Sequence, residues 1–224
     1  MLRILFIISA SLISASTLAI PEVSGMWLLN GPGSESEIKL TARGLQIQSE
    51  YDLLVDDPSL SCTPASTSRI WANPGARIFI EQTQENILIS YELFDLRREI
   101  PIGDDSDFLE LPSTRNTQGI YFTEMGSSVA RYDNDTLIIR SKNHSFGYIR
   151  TSRGIPQSEN TETIEELKIE ENILRITHTY IDETLYEEPF VLNYFYRKIE
   201  QTEIVPYECT EADYDWFNEL NAAK

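Results

Sequence analysis

Apolar and polar positions alternate with a period of two along most of the chain. Nine short segments show this alternation, and clusters of Asn, Asp, Gly and Pro separate them. Such alternation is typical of a β-strand with one buried face. The pattern therefore predicts strands at "GMWLLN", "RIFIEQ", "NILISYELF", "LRREIPI", "SSVARYD", "DTLIIRS", "TIEELKIE", "ILRITHTYI" and "FVLNYFYRK".

Short turns join several neighbouring strands, at residues 83–86, 132–135 and 170–172. Turns of this length connect antiparallel neighbours. An open sheet of this size has two edge strands that promote aggregation, and closing the sheet on itself removes them. We therefore predict an all-β fold, an antiparallel up-and-down β-barrel of about nine or ten strands.

One segment near the N-terminus departs from the strand pattern. In "LTARGLQIQSEYDLLV", Thr41 fits a helix N-cap, and Leu40, Leu45 and Leu54 are spaced among polar residues. Gly44 disfavours a helix at this point because glycine has low helix propensity. The segment predicts one short N-terminal helix, which we expect to close one mouth of the barrel.

The first residues, "MLRILFIISASLISASTLA", have the order of an export signal. A basic start at Arg3 precedes an apolar run, and small residues lead to Ala19. The apolar run is too short to span a bilayer, and no second stretch of about 18 apolar residues follows. We expect residues 1–19 to be a signal peptide and residues 20–224 to form a single β-barrel domain. That domain would be periplasmic or secreted, without stable membrane insertion once the signal is removed.

The chain is strongly acidic, with a formal net charge of -18. A surface of this charge repels nucleic acid and anionic lipid head groups, so neither is an expected partner. The chain has two cysteines, Cys62 and Cys209. In an oxidising compartment two cysteines pair more often than they stay free, and a bridge over this span contributes about 4 kcal/mol. Two thiols with only His144 and His178 in addition, at no close spacing, do not make a zinc site.

Motifs along the whole mature chain resemble a family of exported bacterial proteins with a calycin-like, or lipocalin-like, β-barrel. The matching stretches are "SGMW", "LTARG", "YD…DDPSLSCTP", "IFIEQT", "ISYELFDLRREI", "MGSSVARYDNDTLII", "GIPQSE…IEEL" and "YEC", in consistent order. The resemblance implies export and a barrel, and it places both cysteines in family positions. It implies no reaction.

The chain departs from this family at positions where members carry histidine. Members usually read "MGHSVGRW" where this chain has "MGSSVARY", so Ser127 replaces a histidine and Tyr132 a tryptophan. Members also read "PHSE" with a second histidine nearby, where this chain has Gln157 and Glu162. If those histidines form a site in the family, this chain lacks its titrating groups.

Several charged residues fall on predicted apolar faces. Because alternate residues of a strand share a side, Arg98 shares a face with Ile100 and Glu165 shares one with Leu167. A buried charge needs a partner, so we predict that Arg98 and Glu165 meet inside the barrel. Arg131, which shares a face with Val129, is predicted to be a second interior cation. These arginines either neutralise internal carboxylates or contact an acidic ligand.

Other candidate residues are His178 and three tyrosines. Glu165 or His178 is a candidate general acid or base. The sequence has no serine or cysteine nucleophile motif and no nucleotide or zinc signature. Tyr91, Tyr194 and Tyr196 are predicted to line the interior. We expect neither a cofactor nor a bound metal.

The sequence supports three functions. The first is a small-ligand-binding barrel that holds an apolar or amphipathic molecule, with Arg98 or Arg131 contacting a ligand carboxylate. The second is an enzyme of the cyclase, isomerase or lyase type that uses the same cavity, and the third is an envelope protein-interaction module. In the third, the loops at 103–119 and 145–160 would bind an unidentified protein.

Overall fold

The computed structural model describes residues 20–201, 203–213, 215 and 219. The predicted signal peptide, residues 1–19, lies outside these described residues. The elements are β1 (Gly25–Leu29), β2 (Ser34–Glu35), α1 (Ala42–Glu50), α2 (Thr67–Trp71), β3 (Arg77–Gln82), β4 (Asn86–Tyr91), β5 (Leu96–Pro101), β6 (Thr114–Asn116), β7 (Ser127–Asp133), β8 (Thr136–Lys142), β9 (Gly147–Arg150), β10 (Ile155–Gln157), β11 (Glu162–Glu170), β12 (Ile173–Ile181) and β13 (Phe190–Ile199).

All nine predicted strands are present, and they correspond to β1, β3, β4, β5, β7, β8, β11, β12 and β13. The predicted number is too low, because the described part of the chain has thirteen strands. The four additional strands, β2, β6, β9 and β10, are two to four residues long. Segments of this length are too short to show an alternating pattern.

The larger sheet is antiparallel and follows the order β6-β5-β4-β3-β1-β13-β12-β11-β8-β7, with β2 added to β13. Most neighbours are consecutive strands, as short turns require. The first strand, β1, lies between β3 and the last strand, β13, near the middle of the sheet. Strands β9 and β10 pair separately.

The two ends of this sheet approach each other. Ile102, directly after β5, forms a parallel bridge with Ala130 on β7. The backbone N–H of Gly103 donates to the carbonyl of Ala130 at 2.9 Å. Among the described residues, β6 and β7, the two edge strands, do not pair with each other. The backbone hydrogen bonds between strands therefore do not form a complete ring.

Helix α1 begins where the sequence predicts it. The Thr41 hydroxyl accepts a hydrogen bond from the Gly44 backbone N–H at 3.2 Å, which caps the helix. A β-carbon at Gly44 would lie 2.4 Å from the Leu185 carbonyl oxygen, so glycine permits the close packing of α1. The expectation of a single helix is wrong, because α2 follows with Ser66 as its cap. Its five residues are too few for helical periodicity to be visible.

A disulfide joins Cys62 and Cys209, with 5.9 Å between their Cα atoms. The segment around Cys209 is also held by the Tyr207 N–H, which donates to Asp95 Oδ1 at 2.9 Å. The Ala212 N–H donates to the Leu60 carbonyl at 2.8 Å. These contacts hold the C-terminal tail against the body of the protein. Within the described residues, every helix is too short or too polar to cross a lipid bilayer.

Candidate functional site

The predicted ion pair between Arg98 and Glu165 is present. Arg98 projects from β5 and Glu165 from β11, and Nη2 of Arg98 lies 2.6 Å from Oε2 of Glu165. Both side chains are 0% exposed. Removal of either partner would leave a buried charge without its counter-charge, which costs about 3–5 kcal/mol.

Three further side chains bind this pair. Nη2 of Arg98 donates to the hydroxyl oxygens of Ser128 at 2.9 Å and Ser141 at 3.0 Å. The indole N–H of Trp71 donates to Oε1 of Glu165 at 3.0 Å. The pair is therefore held from both sides, by serines of β7 and β8 and by the last residue of α2.

The charges of the pair stabilise each other. Burial raises the pKa of Glu165, but the Arg98 charge and the hydrogen bonds from Arg98 and Trp71 outweigh it, so the net pKa lies below the ordinary value. Burial lowers the pKa of Arg98, and Glu165 reverses this effect, so the net pKa is raised. Both groups are ionised near neutral pH.

His178 lies beside the pair without bonding to it. Its Nδ1 is 3.6 Å from Oε1 of Glu165, and its side chain is 0% exposed. Neither ring nitrogen has a hydrogen-bond partner. Burial lowers the pKa of His178 to about 4, and the nearby Glu165 carboxylate only partly opposes this effect. The imidazole is therefore neutral at pH 7.

The interior contains more polar atoms than protein partners for them. The unpartnered buried atoms include Nε and Nη1 of Arg98, both nitrogens of His178, and the hydroxyls of Tyr91, Thr114 and Thr163. Such groups are few in folded proteins, and each one left unmet costs about 1–3 kcal/mol. The centre of this fold therefore contains polar groups that are shielded from solvent.

Two of the three candidate tyrosines are sealed in this interior. Tyr91 and Tyr196 are both 0% exposed. The Tyr91 hydroxyl lies beside the Arg98 guanidinium without hydrogen-bond geometry. The Tyr196 hydroxyl donates to the Trp71 carbonyl, and its ring packs edge-on against the indole. These tyrosines fix Trp71 and, through it, the Glu165 carboxylate.

The third tyrosine, Tyr194, connects the interior to a surface groove. Its ring packs edge-on against His178, with 5.8 Å between centroids. Its hydroxyl has no hydrogen-bond partner, and burial raises its pKa to about 12 although Arg150 opposes this effect. A β-carbon at Gly33 would lie 2.5 Å from the Tyr194 ring, so only glycine allows this approach.

We call this depression the Tyr194 groove. Its volume is about 510 Å³. Its lining residues are apolar side chains and glycines, apart from Arg150 and the hydroxyl of Tyr194. It is lined by Leu28, Leu29, Gly31, Pro32, Gly33, Ala72, Pro74, Gly75, Arg150 and Tyr194.

The cation at the edge of the Tyr194 groove shares its counter-ion. Arg150 Nη2 lies 2.8 Å from Oε2 of Glu35, and Arg153 pairs with the other oxygen of the same carboxylate. Burial raises the pKa of Glu35, but hydrogen bonds and charge from the two arginines outweigh it, and the net pKa is lowered. Two guanidinium groups and one carboxylate leave an excess positive charge at this edge.

The expectation that Arg131 lies inside the barrel is wrong, because its side chain is exposed. The interior face of β7 is instead the one that carries Ser128 and Ala130, which are both 1% exposed. Val129, on the opposite face, is also buried, with 4% exposure. A buried valine therefore does not show which face of β7 is the inner one. Ser128 faces inward because it binds the Arg98 guanidinium.

Ser127 and Gln157, two of the positions at which the chain departs from the resembling family, each take part in a side-chain hydrogen bond. Gln157 donates from Nε2 to the Glu124 carbonyl at 2.9 Å, and His144 Nδ1 is 3.1 Å from the same oxygen. Asn143 donates to the Ser127 hydroxyl at 3.0 Å. Gln157 and His144 therefore share the Glu124 carbonyl, whereas Ser127 bonds to the neighbouring, exposed Asn143. In this chain, His144 is the only titratable side chain at these three positions.

The sequence did not indicate Trp71, Ser128 or Ser141 as members of the interior site. The two serines alternate with apolar residues on the inner faces of β7 and β8, and this small-polar signal is detectable in the sequence. Trp71 gives no such signal, because α2 reaches Glu165 across 94 residues of sequence. Within the described residues, no group of three or more His, Cys, Asp or Glu side chains is placed to hold a metal ion.

Comparison with known proteins adds little to this geometry. No protein-family model matches the chain, and no curated protein matches it. Among solved structures, a variant of the fluorescent protein UnaG is similar at 15% sequence identity with a TM-score of 0.39. The match covers 80% of this chain and 97% of that chain. A similarity at this TM-score does not indicate a shared function.

Proposed function

We propose that the chain is an exported β-barrel protein that binds a small amphipathic molecule bearing a carboxylate. The ligand lies in the Tyr194 groove, with its apolar part against Leu28 and Leu29 and its carboxylate at Arg150. The observation that carries the proposal is an apolar groove with an excess of cationic charge at its edge, in a chain of net charge -18. A volume of about 510 Å³ suits a small ligand.

The ligand position differs from the interior site predicted for Arg98. That guanidinium is 0% exposed and is already neutralised by Glu165, so it has no charge to offer an acidic ligand. Arg150, in contrast, is partly exposed and shares one carboxylate with Arg153. We therefore propose that the ligand carries a carboxylate, as the sequence predicts, and that Arg150 binds this group in place of Arg98.

Barrel closure is part of the proposal. Its support is the bridge between Ile102 and Ala130, together with the contact of Arg98 with side chains of β7, β8 and β11. Side chains of one sheet face touch across these strands only when the sheet curls strongly. A single β-barrel domain over residues 20–224 satisfies this requirement.

The test is a binding titration with medium-chain fatty acids and the matching fatty alcohols. Wild-type protein should bind the acids more tightly than the alcohols, and Arg150→Gln should weaken acid binding about threefold to tenfold. Arg175→Gln, which removes an exposed cation of β12, serves as the matched control and should leave binding unchanged. Equal affinity for acid and alcohol, or no binding of either by the wild type, would refute the proposal.

An interaction module is a second candidate, and a specific surface favours it. The segment after β5 exposes Leu109 and Leu111 at 58% and 61%, and both line one surface cavity with Tyr121. Contiguous exposed apolar side chains mark interaction surfaces in soluble proteins. A pull-down that captures the same partner with wild type but loses it with Leu109→Ser/Leu111→Ser would support this candidate.

An acid–base enzyme that uses Glu165 or His178 has less support. Glu165 is held ionised by Arg98, and neither side chain is exposed. A general base must reach its substrate within hydrogen-bond distance. Turnover that persists in Glu165→Gln would exclude this residue, and turnover lost without loss of folding would favour it.

A further inference from the structure

A second cavity lies between α2 and the C-terminal tail. Its volume is about 430 Å³, and it includes the disulfide residue Cys209 in its lining. We call it the tail pocket. The residues that matter for its chemistry are Asp57, Arg69, Asn73, Thr151, Tyr207 and Glu208.

Three side chains that can donate hydrogen bonds line the tail pocket. Arg69 and Asn73 come from α2 and the residues after it, and Thr151 follows β9. In the described part of the chain, none of these three side chains forms a hydrogen bond or an ion pair. A guanidinium, an amide and a hydroxyl together match the acceptor geometry of a carboxylate.

Two acidic side chains line the same pocket, so a simple anion does not fit its charge. Asp57 uses Oδ1 to accept from the Ser59 N–H at 3.0 Å, which leaves its second oxygen unused. Glu208 is exposed and precedes the disulfide residue Cys209. One cation and two carboxylates favour a ligand that carries both a carboxylate and an ammonium group.

The remaining wall of the pocket is apolar. Phe94 and Tyr207 pack edge to face, with 5.6 Å between ring centroids, and Leu93 lies beside them. This wall provides a surface for a side chain larger than a methyl group. Tyr207 is held by the backbone contact with Asp95 and by the nearby disulfide.

We propose that the tail pocket binds a free α-amino acid with an apolar side chain. Arg69, Asn73 and Thr151 bind its carboxylate, Asp57 and Glu208 bind its ammonium group, and the rings of Phe94 and Tyr207 contact its side chain. The tail pocket and the Tyr194 groove have different linings, and a third cavity, which Arg69 and Arg150 both line, lies between them.

The probes that test this site are phenylalanine, phenylpropionate and phenethylamine, titrated by calorimetry against the folded chain. Phenylpropionate lacks the ammonium group and phenethylamine lacks the carboxylate, so each should bind about tenfold or more weakly than phenylalanine. Leucine should bind as phenylalanine does. If neither amino acid binds, or if all three phenyl probes bind equally, the inference is wrong.

Variants separate the two ends of the ligand. Arg69→Gln should weaken phenylalanine and phenylpropionate about tenfold and leave phenethylamine unchanged, whereas Glu208→Gln should weaken phenylalanine and phenethylamine. Arg43→Gln, an exposed cation of α1, is the matched control. The two proposals are tested with different probes, so failure of fatty-acid binding and failure of phenylalanine binding are distinguishable. An Arg69→Gln protein that binds all three probes as the wild type does would overturn the assignment.

Discussion

Nη2 of Arg98 lies 2.6 Å from Oε2 of Glu165, although five strands separate β5 from β11 in the sheet order. In a flat sheet, six steps of about 4.8 Å would place these strands about 29 Å apart. Their contact therefore requires the sheet to curl until its inner face meets itself. The ion pair thus connects two distant parts of the sheet, and its partners on β7 and β8 extend the connection.

The first prediction concerns removal of one charge from this pair. Glu165→Gln leaves the Arg98 guanidinium buried and unpaired, so the free energy of unfolding should fall by about 3–5 kcal/mol. Urea unfolding, followed by tryptophan fluorescence, measures this change. Glu170→Gln, in the exposed pair with Arg175, should change stability by less than about 0.5 kcal/mol.

A double variant tests whether the loss comes from the unpaired charge. Arg98→Met/Glu165→Leu replaces the pair by apolar side chains and should recover most of the stability that Glu165→Gln loses. A Glu165→Gln protein as stable as the wild type would show that the pair is not buried as described.

The second prediction concerns stability at acidic pH. The pKa of His178 is about 4 in the folded protein, against 6.5 ordinarily, because burial disfavours the charged ring. The unfolded chain therefore binds a proton at higher pH than the folded chain does. The stability that depends on a neutral His178 is fully present above pH 6.5 and is lost as the pH falls towards 4. The total loss in the free energy of unfolding is on the order of 3 kcal/mol. The lowered pKa of Glu165 acts in the same direction at still lower pH.

Unfolding free energies measured across this pH range test the His178 contribution. His178→Gln should show a smaller loss of stability between pH 6.5 and 4 than the wild type. His144→Gln is the matched control, because burial also lowers the pKa of His144. This variant should keep the loss of stability that comes from His178. The same pH dependence in His178→Gln and wild type would contradict a neutral, buried imidazole.

The third prediction concerns the serines that bind Arg98. Ser128→Ala and Ser141→Ala each remove one acceptor from a buried guanidinium, and each should cost about 1.5–3 kcal/mol of unfolding free energy. The double variant should cost less than the two losses added, because the serines share Nη2 and also bond to each other at 2.9 Å. Ser152→Ala, at an exposed position, should be neutral. Neutral Ser128→Ala and Ser141→Ala variants would mean that water or another group replaces these bonds.

The strands and the ion pair were predictable because both depend on local alternation. A period of two in "LRREIPI" and "TIEELKIE" assigns Arg98 and Glu165 to apolar faces, and burial then requires that they meet. The same reasoning failed for Arg131, because β7 is buried on both faces at Val129 and Ala130 and its inner face is the small-residue one. The Tyr194 groove was not predictable, since it combines residues of β1, the loop after it, the loop after α2, β9 and β13. Such surfaces form only when distant segments pack together.

The most direct test of the proposed function is a map of amide chemical shifts as dodecanoate is added to the isotopically labelled protein. We predict that the shift changes cluster at Gly31, Gly33, Gly75 and Arg150, around the Tyr194 groove, and that Arg150→Gln needs about threefold to tenfold more dodecanoate to reach the same changes. Changes confined to the interior residues of β12, such as Ile176, or no changes at any residue, would contradict the proposal.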